Sequence, residues 1–167
     1  MKNKVILFLV FTFSFSPIVT GQNLEIGDKI VDFRGYDVKS KRYIRLSQFK
    51  KKKNVLLNFT ATYCGSCWKT YPHMQELQKK YASKLKVVSV HGDEKKVKWY
   101  EIAKRLKIDF KCTTMWKVEG KEKIKKVYGV DKYPTFFAID KNGIIIDKWV
   151  GNQEKRMKTV IKKMVSL

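Results

Sequence analysis

A short apolar run leads directly into a closely spaced cysteine pair, and this junction restricts the folds open to the chain. Residues 55–60 have the length and the composition of a buried strand. A helix is expected from about 65 to 82, because apolar residues recur there at spacings of three and four. Cys64 and Cys67 therefore fall where a buried strand passes through a short loop into a helix.

The elements on either side extend this junction into a layered α/β unit. Further strands are expected over 30–37, 42–46, 86–90, 108–112, 135–139 and 144–150, and 113–120 is expected to be a loop. Further helices are expected over 94–106 and 121–127 and at the carboxyl end, around 157–165. This order predicts an α/β fold with a central mixed β-sheet flanked by helices on both faces.

The amino-terminal residues have the pattern of an export signal. Two lysines precede an apolar stretch that is shorter than the about 20 residues of a membrane span, and Gly21 is small enough for cleavage after it. We therefore expect a signal peptide over 1–21 and one domain over 22–167, of which 22–53 form an N-terminal hairpin extension. An anchor that is never cleaved is the alternative.

The charge is strongly basic, with 37 Lys and Arg against 15 Asp and Glu and a formal net charge of +22. The export signal argues against a nucleic-acid partner, as do the dispersion of the basic residues and the excess of Lys over Arg. A solvated, lysine-coated surface is the expectation. Attraction to an anionic membrane surface or to an acidic partner is the alternative.

The cysteine pair has the spacing needed for thiol–disulfide exchange. Cys64 is expected at the amino end of the helix, where unpaired N–H groups and the helix dipole favour a thiolate, the nucleophile in exchange. Cys67 follows by nearly one turn, so a disulfide between the two can close. Cys64 would attack a substrate disulfide, and Cys67 would then release the reduced substrate.

Metal and cofactor chemistry are not expected. Half of a zinc site would need a second close ligand pair, and only Cys112, His73 and His91 remain besides carboxylates. Haem attachment needs His directly after the second cysteine, where Trp68 stands. Both histidines are expected at the surface. Cys112 is expected to be a small buried hydrophobe, with a third redox thiol or a bridge to another chain as the alternatives.

Two segments resemble the active site of thioredoxins. Residues 59–67 with Pro72 are similar to their cysteine segment, and 133–140 are similar to the strand that begins with their cis-proline. The export signal, the N-terminal hairpin and the inserted helix before Pro134 resemble the TlpA/ResA-type extracytoplasmic branch. The resemblance implies a thioredoxin-like fold with a cis Tyr133–Pro134 bond.

The same resemblance implies how a substrate is held. Tyr63, Tyr133 and Pro134 would bind it beside the catalytic pair, a redox-active disulfide between Cys64 and Cys67. A cis X-Pro bond is rare enough to be a deliberate feature, and the Tyr133 backbone would be left to pair with an extended substrate segment.

An extracytoplasmic thiol–disulfide oxidoreductase that reduces protein disulfides is therefore the function that the resemblance implies. A membrane thiol would be its electron donor or acceptor, and the periplasm its location. A secreted or membrane-anchored protein stays an alternative location. A disulfide oxidase or isomerase and a non-enzymatic thiol-based binding module or metal chaperone stay alternative functions.

Three positions depart from the family pattern. Asn58 stands where thioredoxins carry a buried acid, and Thr70 stands where ResA-type proteins of cytochrome c maturation carry Glu. Neither side chain can titrate as a carboxylate, so a cytochrome c role is in doubt. Tyr63 replaces the usual Trp before Cys64 and leaves a flat apolar contact for substrate.

Overall fold

The structure, a computed structural model, describes residues 23–37, 40–92, 101–102, 104–105, 113–116 and 118–166, and seven strands and three helices have defined bounds within them. In chain order they are β1 (Arg34–Asp37), β2 (Arg42–Arg45), a 3-10 turn (Leu46–Phe49), β3 (Asn54–Thr60), α1 (Gly65–Lys80), β4 (Leu85–His91), β5 (Thr113–Trp116), α2 (Lys121–Val127), β6 (Thr135–Ile139), β7 (Ile145–Val150) and α3 (Glu154–Ser166).

All seven strands form one mixed sheet in the order β2-β1-β5-β4-β3-β6-β7. β3 lies near its middle, parallel to β4 and antiparallel to β6. Every residue of β3 is buried, because helices or loops cover both faces of the sheet. The carboxyl end of β3 and the start of β6 therefore meet at one end of the sheet, where Thr60 leads toward Cys64 and Pro134 precedes β6.

The alternation of β3 side chains divides the apolar core between the two faces. Leu56 faces a cluster built from α1 and α3, in which Met74 and Met157 are fully buried. Leu57 faces the opposite cluster, which includes Tyr128 after α2. Burial of each such side chain stabilises the fold by about 1.5–3 kcal/mol before cavity terms.

A buried glutamine fastens α1 to the sheet. Gln78 donates through Nε2 to the Leu85 carbonyl at 3.1 Å and accepts through Oε1 from the Val87 N–H at 2.7 Å. Both polar ends of the side chain are thus satisfied, as burial requires. These two hydrogen bonds fix the position of α1 along β4. They therefore also fix the position of the cysteines at the other end of the helix.

The predicted fold class is confirmed, with two local errors. Residues 113–116, expected as a loop, form β5 between β1 and β4, because pairing with two neighbours outweighs a short and weakly apolar sequence. The first strand begins at Arg34 rather than at residue 30. The predicted signal, the strand over 108–112 and Cys112 lie outside the described residues. So does the predicted helix over 94–106, except for 101–102 and 104–105, which are helical.

Among the described residues no helix has the length and apolar character needed to cross a bilayer.

Candidate active site

Cys64 and Cys67 are joined by a disulfide at the amino end of α1. Cys64 is the N-cap residue, and its Sγ accepts a hydrogen bond from the Cys67 N–H at 3.1 Å. The two Cα atoms are 5.3 Å apart. Unpaired N–H groups and the positive end of the helix dipole therefore point at the Cys64 sulfur, which favours its thiolate form once the disulfide opens.

The two sulfurs differ in accessibility. Cys64 is 9% exposed and Cys67 is 1% exposed. The Ser66 hydroxyl lies 3.4 Å from the Cys64 Sγ, on the open side. An incoming disulfide can therefore reach Cys64 first, whereas Cys67 can react only with a sulfur already bound to Cys64.

The second wall of the site is the segment before β6. The Tyr133–Pro134 peptide bond is cis, as predicted. Tyr133 packs against the cluster of Ala61, Cys64 and Cys67, and Pro134 is buried. In the part of the chain that the structure describes, the Tyr133 backbone N–H and C=O make no hydrogen bond, so both are available to an added strand.

Three neighbours hold the Tyr133 ring. A Cβ on Gly92 would stand 2.0 Å from the Tyr133 Oη, so the ring end occupies the space that only glycine leaves there. The Tyr63 ring meets it edge-on at 6.4 Å between centroids, and the Lys125 Nζ lies 6.0 Å from its centroid. The ring thus has an aromatic neighbour in Tyr63 and a cation over its face.

The charges around this ring shift two pKa values. Burial raises the pKa of Tyr133, and the nearby Lys125 ammonium opposes that shift. Partial burial acts to lower the pKa of Lys125, but the hydrogen bond to Glu122 and the proximity of Tyr133 outweigh it and leave this pKa raised. At neutral pH the wall therefore carries a neutral phenol and a positive charge.

An open groove of about 600 Å³ runs between the two walls beside Cys64. Its lining residues are Tyr63, Cys64, Ser66, Lys125, Val130, Asp131, Lys132, Tyr133 and Val150. Tyr63 is 77% exposed, which is unusual for so large a side chain. The groove thus offers apolar surface beside the accessible sulfur and backbone groups along one edge.

Buried polar side chains occupy the sheet face toward α1, beneath this site. The Thr70 hydroxyl donates to the Cys67 carbonyl at 2.7 Å. Asn58 is fully buried, and its Nδ2 makes one long contact, 3.4 Å to the Phe59 carbonyl. The Asn58 Oδ1, the Thr60 Oγ1 and the Ser89 Oγ make no hydrogen bond to any described residue. Neither Asn58 nor Thr70 supplies a carboxylate.

The expectation that both histidines lie at the surface is wrong for His91. This side chain is 2% exposed, pairs in register with Thr60, and has its Nε2 3.1 Å from the Tyr71 hydroxyl. His91 is buried because it is the last residue of β4, a strand that lies inside the sheet. His73 is partly exposed and lies 3.0 Å from a Glu154 carboxylate oxygen.

The sequence did not point to Gly92 or Lys125 as parts of the site. Both lie far from the cysteines along the chain, and only the packing of β4, α2 and the cis-proline segment brings them to Tyr133. Across the described residues, no three His, Cys, Asp or Glu side chains come together as a metal site.

This combination of a strand, a cysteine pair capping a helix and a cis-proline wall is the arrangement of thioredoxin-type thiol–disulfide oxidoreductases. A family model described as thioredoxin-like matches residues 52–145. The chain belongs to the thioredoxin-like family.

Individual relatives agree with this class. The thiol-disulfide oxidoreductase ResA of Bacillus thuringiensis subsp. konkukian (strain 97-27) is 32% identical over 159 residues, which cover 91% of this chain and 88% of that protein. A structure from Chlorobium tepidum, assigned as a thiol:disulfide interchange protein DsbE, has a TM-score of 0.75 at 28% identity and covers 86% of this chain and 99% of its own.

A third relative is the exposed lipoprotein thioredoxin of Streptococcus pneumoniae strain TIGR4. It has a TM-score of 0.65 at 25% identity, and the match covers 80% of this chain and 99% of that chain. The protein is thus an enzyme, a thiol–disulfide oxidoreductase, and its substrates carry disulfides or dithiols.

Proposed function

We propose that the protein is exported and reduces disulfides of other proteins outside the cytoplasm, with Cys64 and Cys67 as its catalytic residues. One observation carries the assignment of roles: the Cys64 sulfur caps α1 at the edge of an open groove, while Cys67 lies behind it, almost fully buried. Domain boundaries at 1–21 for the signal and 22–167 for the enzyme belong to the same proposal.

The exchange then proceeds in two steps. The Cys64 thiolate attacks one sulfur of the substrate, a bond forms between them, and the substrate S–S bond breaks to release a thiolate. Cys67, as thiolate, attacks the Cys64 Sγ, reforms the Cys64–Cys67 disulfide and releases the second substrate thiolate. Two electrons have passed to the substrate, and a membrane protein with an exposed dithiol returns them to the pair.

The groove supplies the binding side of this proposal. An extended substrate segment adds beside Tyr133 and Pro134, pairing with the Tyr133 backbone in the manner of strand addition. The exposed Tyr63 ring covers the residues that flank the substrate disulfide. Holding the segment there places its sulfur in line with the Cys64 sulfur. The exchange is then faster mainly because the reacting sulfurs are correctly oriented.

An insulin-reduction assay with trapping variants tests the assignment. Cys64→Ser is expected to abolish turnover, whereas Cys67→Ser is expected to accumulate a mixed disulfide between Cys64 and the substrate. A mixed disulfide through Cys67 in the Cys64→Ser variant would reverse the roles. Inactivity of the wild-type protein, together with stoichiometric copper or zinc binding, would favour a metal chaperone instead.

The direction of electron flow is tested by the reduction potential of the pair in a glutathione or dithiothreitol buffer. Thiol–disulfide oxidoreductases range from about −270 mV for reductants to about −120 mV for strong oxidants, and each 30 mV corresponds to about 1.4 kcal/mol. A reductase is expected near the lower end. A value near the upper end would make the protein an oxidase.

Export is tested separately, by amino-terminal sequencing of the mature protein recovered from the producing cells. A mature chain that begins at Gln22 is expected. An intact Met1 terminus in the membrane fraction would replace the cleaved signal with an anchor.

A further inference from the structure

The end of the sheet opposite the disulfide carries an unusual concentration of lysines. Four segments meet there: the approach to β3 (50–54), the link from α1 to β4 (79–85), the turn from β6 to β7 (139–145) and the last residues of α3 (162–166). We call these four segments the basic end. Its lysines are Lys50, Lys51, Lys52, Lys53, Lys79, Lys80, Lys84, Lys141, Lys162 and Lys163.

Hydrogen bonds tie the four segments into one surface. The Lys51 N–H donates to the Lys141 carbonyl at 2.6 Å, and the Asn54 N–H donates to the Lys84 carbonyl at 2.9 Å. The Lys84 Nζ donates to the Val165 carbonyl at 2.9 Å, and the Asn54 Nδ2 donates to the Met164 carbonyl at 3.2 Å. The lysines are therefore held side by side.

These charges are not compensated within the fold. Asp140 is the single acidic residue of the basic end, and its carboxylate accepts hydrogen bonds from the N–H groups of Asn142 and Ile144. None of the ten lysines forms an ion pair with a carboxylate among the described residues. The adjacent N-terminal segment adds Asp28 and Lys29, whose charges cancel. Elsewhere, lysines such as Lys125, Lys148 and Lys158 do have carboxylate partners.

The composition of the basic end points to a diffuse anionic surface. All ten cations are Lys and none is Arg, the residue that binds a particular phosphate or carboxylate through two parallel hydrogen bonds. Nine of the ten are exposed, and Lys53 is half-buried. Between them lies a shallow pocket of about 400 Å³, and Ile146, Met164 and Val165 provide its apolar lining. Flexible ammonium groups around a shallow pocket, of whose apolar residues only Ile146 is exposed, suit lipid headgroups.

We propose that the basic end is a docking surface for an anionic phospholipid bilayer. The seven residues of β3 separate it from the cysteine loop by about 20 Å. A molecule docked in this way keeps the Cys64 groove turned toward the aqueous phase, where protein clients arrive. Electrostatic docking of this kind is reversible, so a released molecule can still receive electrons from the membrane dithiol. The proposal is independent of the direction in which the pair transfers electrons.

Vesicle co-sedimentation of the full chain tests this, with phosphatidylcholine vesicles compared with vesicles that also contain phosphatidylglycerol. Attachment that does not depend on lipid charge, including any through the apolar residues 5–15, is equal on both and is subtracted. Tighter binding to the anionic vesicles, weakened by added salt, is expected. Equal binding to both vesicle types would overturn the proposal.

Two matched triple variants locate the surface. Lys52→Gln/Lys141→Gln/Lys163→Gln removes three charges from the basic end, and about a 100-fold loss of the charge-dependent binding is expected. Lys69→Gln/Lys123→Gln/Lys126→Gln removes three exposed lysines from α1 and α2, and about a threefold change or less is expected, since these lie beyond the screening length. Equal losses in both variants would make net charge alone responsible and overturn the assignment.

Two further readouts test the partner and the orientation. Insulin reduction by the wild-type protein is expected to proceed equally fast with and without anionic vesicles, and slower turnover on vesicles would overturn the outward-facing groove. Polyglutamate and duplex DNA serve as competing anions. Binding to either of them without binding to anionic vesicles would replace the membrane with an acidic protein or a nucleic acid as partner.

Discussion

Replacing Gly92 with alanine tests how the cis-proline wall is held. The new Cβ would stand 2.0 Å from the Tyr133 Oη and 2.6 Å from its Cζ, whereas ordinary contact begins at 3.4 Å. The hydroxyl must therefore move by about 1.4 Å, the difference between 3.4 and 2.0 Å. Tyr133 is half-buried and can swing outward, so we expect the side chain to move rather than the backbone of β4.

The displacement has a cost in stability and in binding. Overpacking costs about 1–3 kcal/mol, and the lower end applies because a partly exposed ring can yield. We therefore expect the free energy of unfolding of the oxidised protein to fall by about 1 kcal/mol, measured by urea titration. The ring also leaves its contact with Tyr63, so KM for insulin is expected to rise about fivefold, the equivalent of about 1 kcal/mol. Turnover of a small disulfide that does not fill the groove is expected to stay unchanged.

Gly65→Ala is the matched control, because its Cβ would meet no atom within 4 Å although it lies next to Cys64. This variant is expected to keep the wild-type KM and to be as stable as the wild type or more stable by up to about 1 kcal/mol, because alanine restricts the unfolded chain. A double-mutant cycle with Tyr133→Ala completes the test. Once the ring is removed, Gly92→Ala is expected to have no further effect on the free energy of unfolding or on KM. An undiminished effect of Gly92→Ala in that background, or equal effects of the two glycine substitutions, would refute the packing argument.

Three further predictions concern stability. Met157→Ala leaves a cavity between α3 and the sheet and is expected to lower the free energy of unfolding by about 2–5 kcal/mol in urea, whereas Lys155→Ala, exposed on the same helix, is expected to be near neutral. The hydrogen bond from Lys158, aided by the charge of His73, lowers the pKa of Glu154 below its ordinary 4.5. The Tm advantage of the wild type over Glu154→Gln should therefore be full above pH 4.5 and vanish as the pH falls through the folded-state pKa; an advantage that persists in acid contradicts this. Burial, reinforced by the charge of Asp32, raises the pKa of Tyr128, whose hydroxyl donates to the Val31 carbonyl at 2.7 Å. Tyr128→Phe should thus lower the free energy of unfolding by about 1 kcal/mol at neutral pH. This difference between wild type and variant should shrink above pH 10, where the tyrosine ionises only in the unfolded state; a difference that does not change with pH contradicts this.

The central part of the fold was predictable because local pattern and tertiary structure agree there. The strand over 55–60 and the helix after Cys64 are buried on the faces that their apolar periodicity indicated. The strand over 135–139 matches to the residue, because the Asn-Gly turn that follows fixes its end. An element can be predicted from sequence alone where its local sequence pattern agrees with its burial in the tertiary structure.

The errors fall where long-range pairing decides. Residues 113–116 contain too little apolar pattern to predict a strand, yet they pair with β4 on one side and with β1 on the other. His91 is buried because β4 extends one residue beyond its apolar run. Gly92 contacts Tyr133 across 41 positions of sequence, the difference between 133 and 92, and no local signal reports such a contact.

The polar layer beneath Cys67 gives a physical account of the missing carboxylates. Asn58 lies among buried polar groups that are already unsatisfied: its own Oδ1 and the Ser89 hydroxyl beside it make no hydrogen bond to any described residue. An aspartate there would be cut off from water, with hydroxyl groups such as that of Ser89 as its nearest possible donors, so burial would raise its pKa. Thr70 gives no alternative acid, because a threonine hydroxyl does not ionise; it donates a hydrogen bond to the Cys67 carbonyl. In the proposed mechanism the pair therefore keeps the geometry of exchange, while the ease with which each thiol ionises depends on the amino end of α1 and on access from the groove rather than on a neighbouring carboxylate.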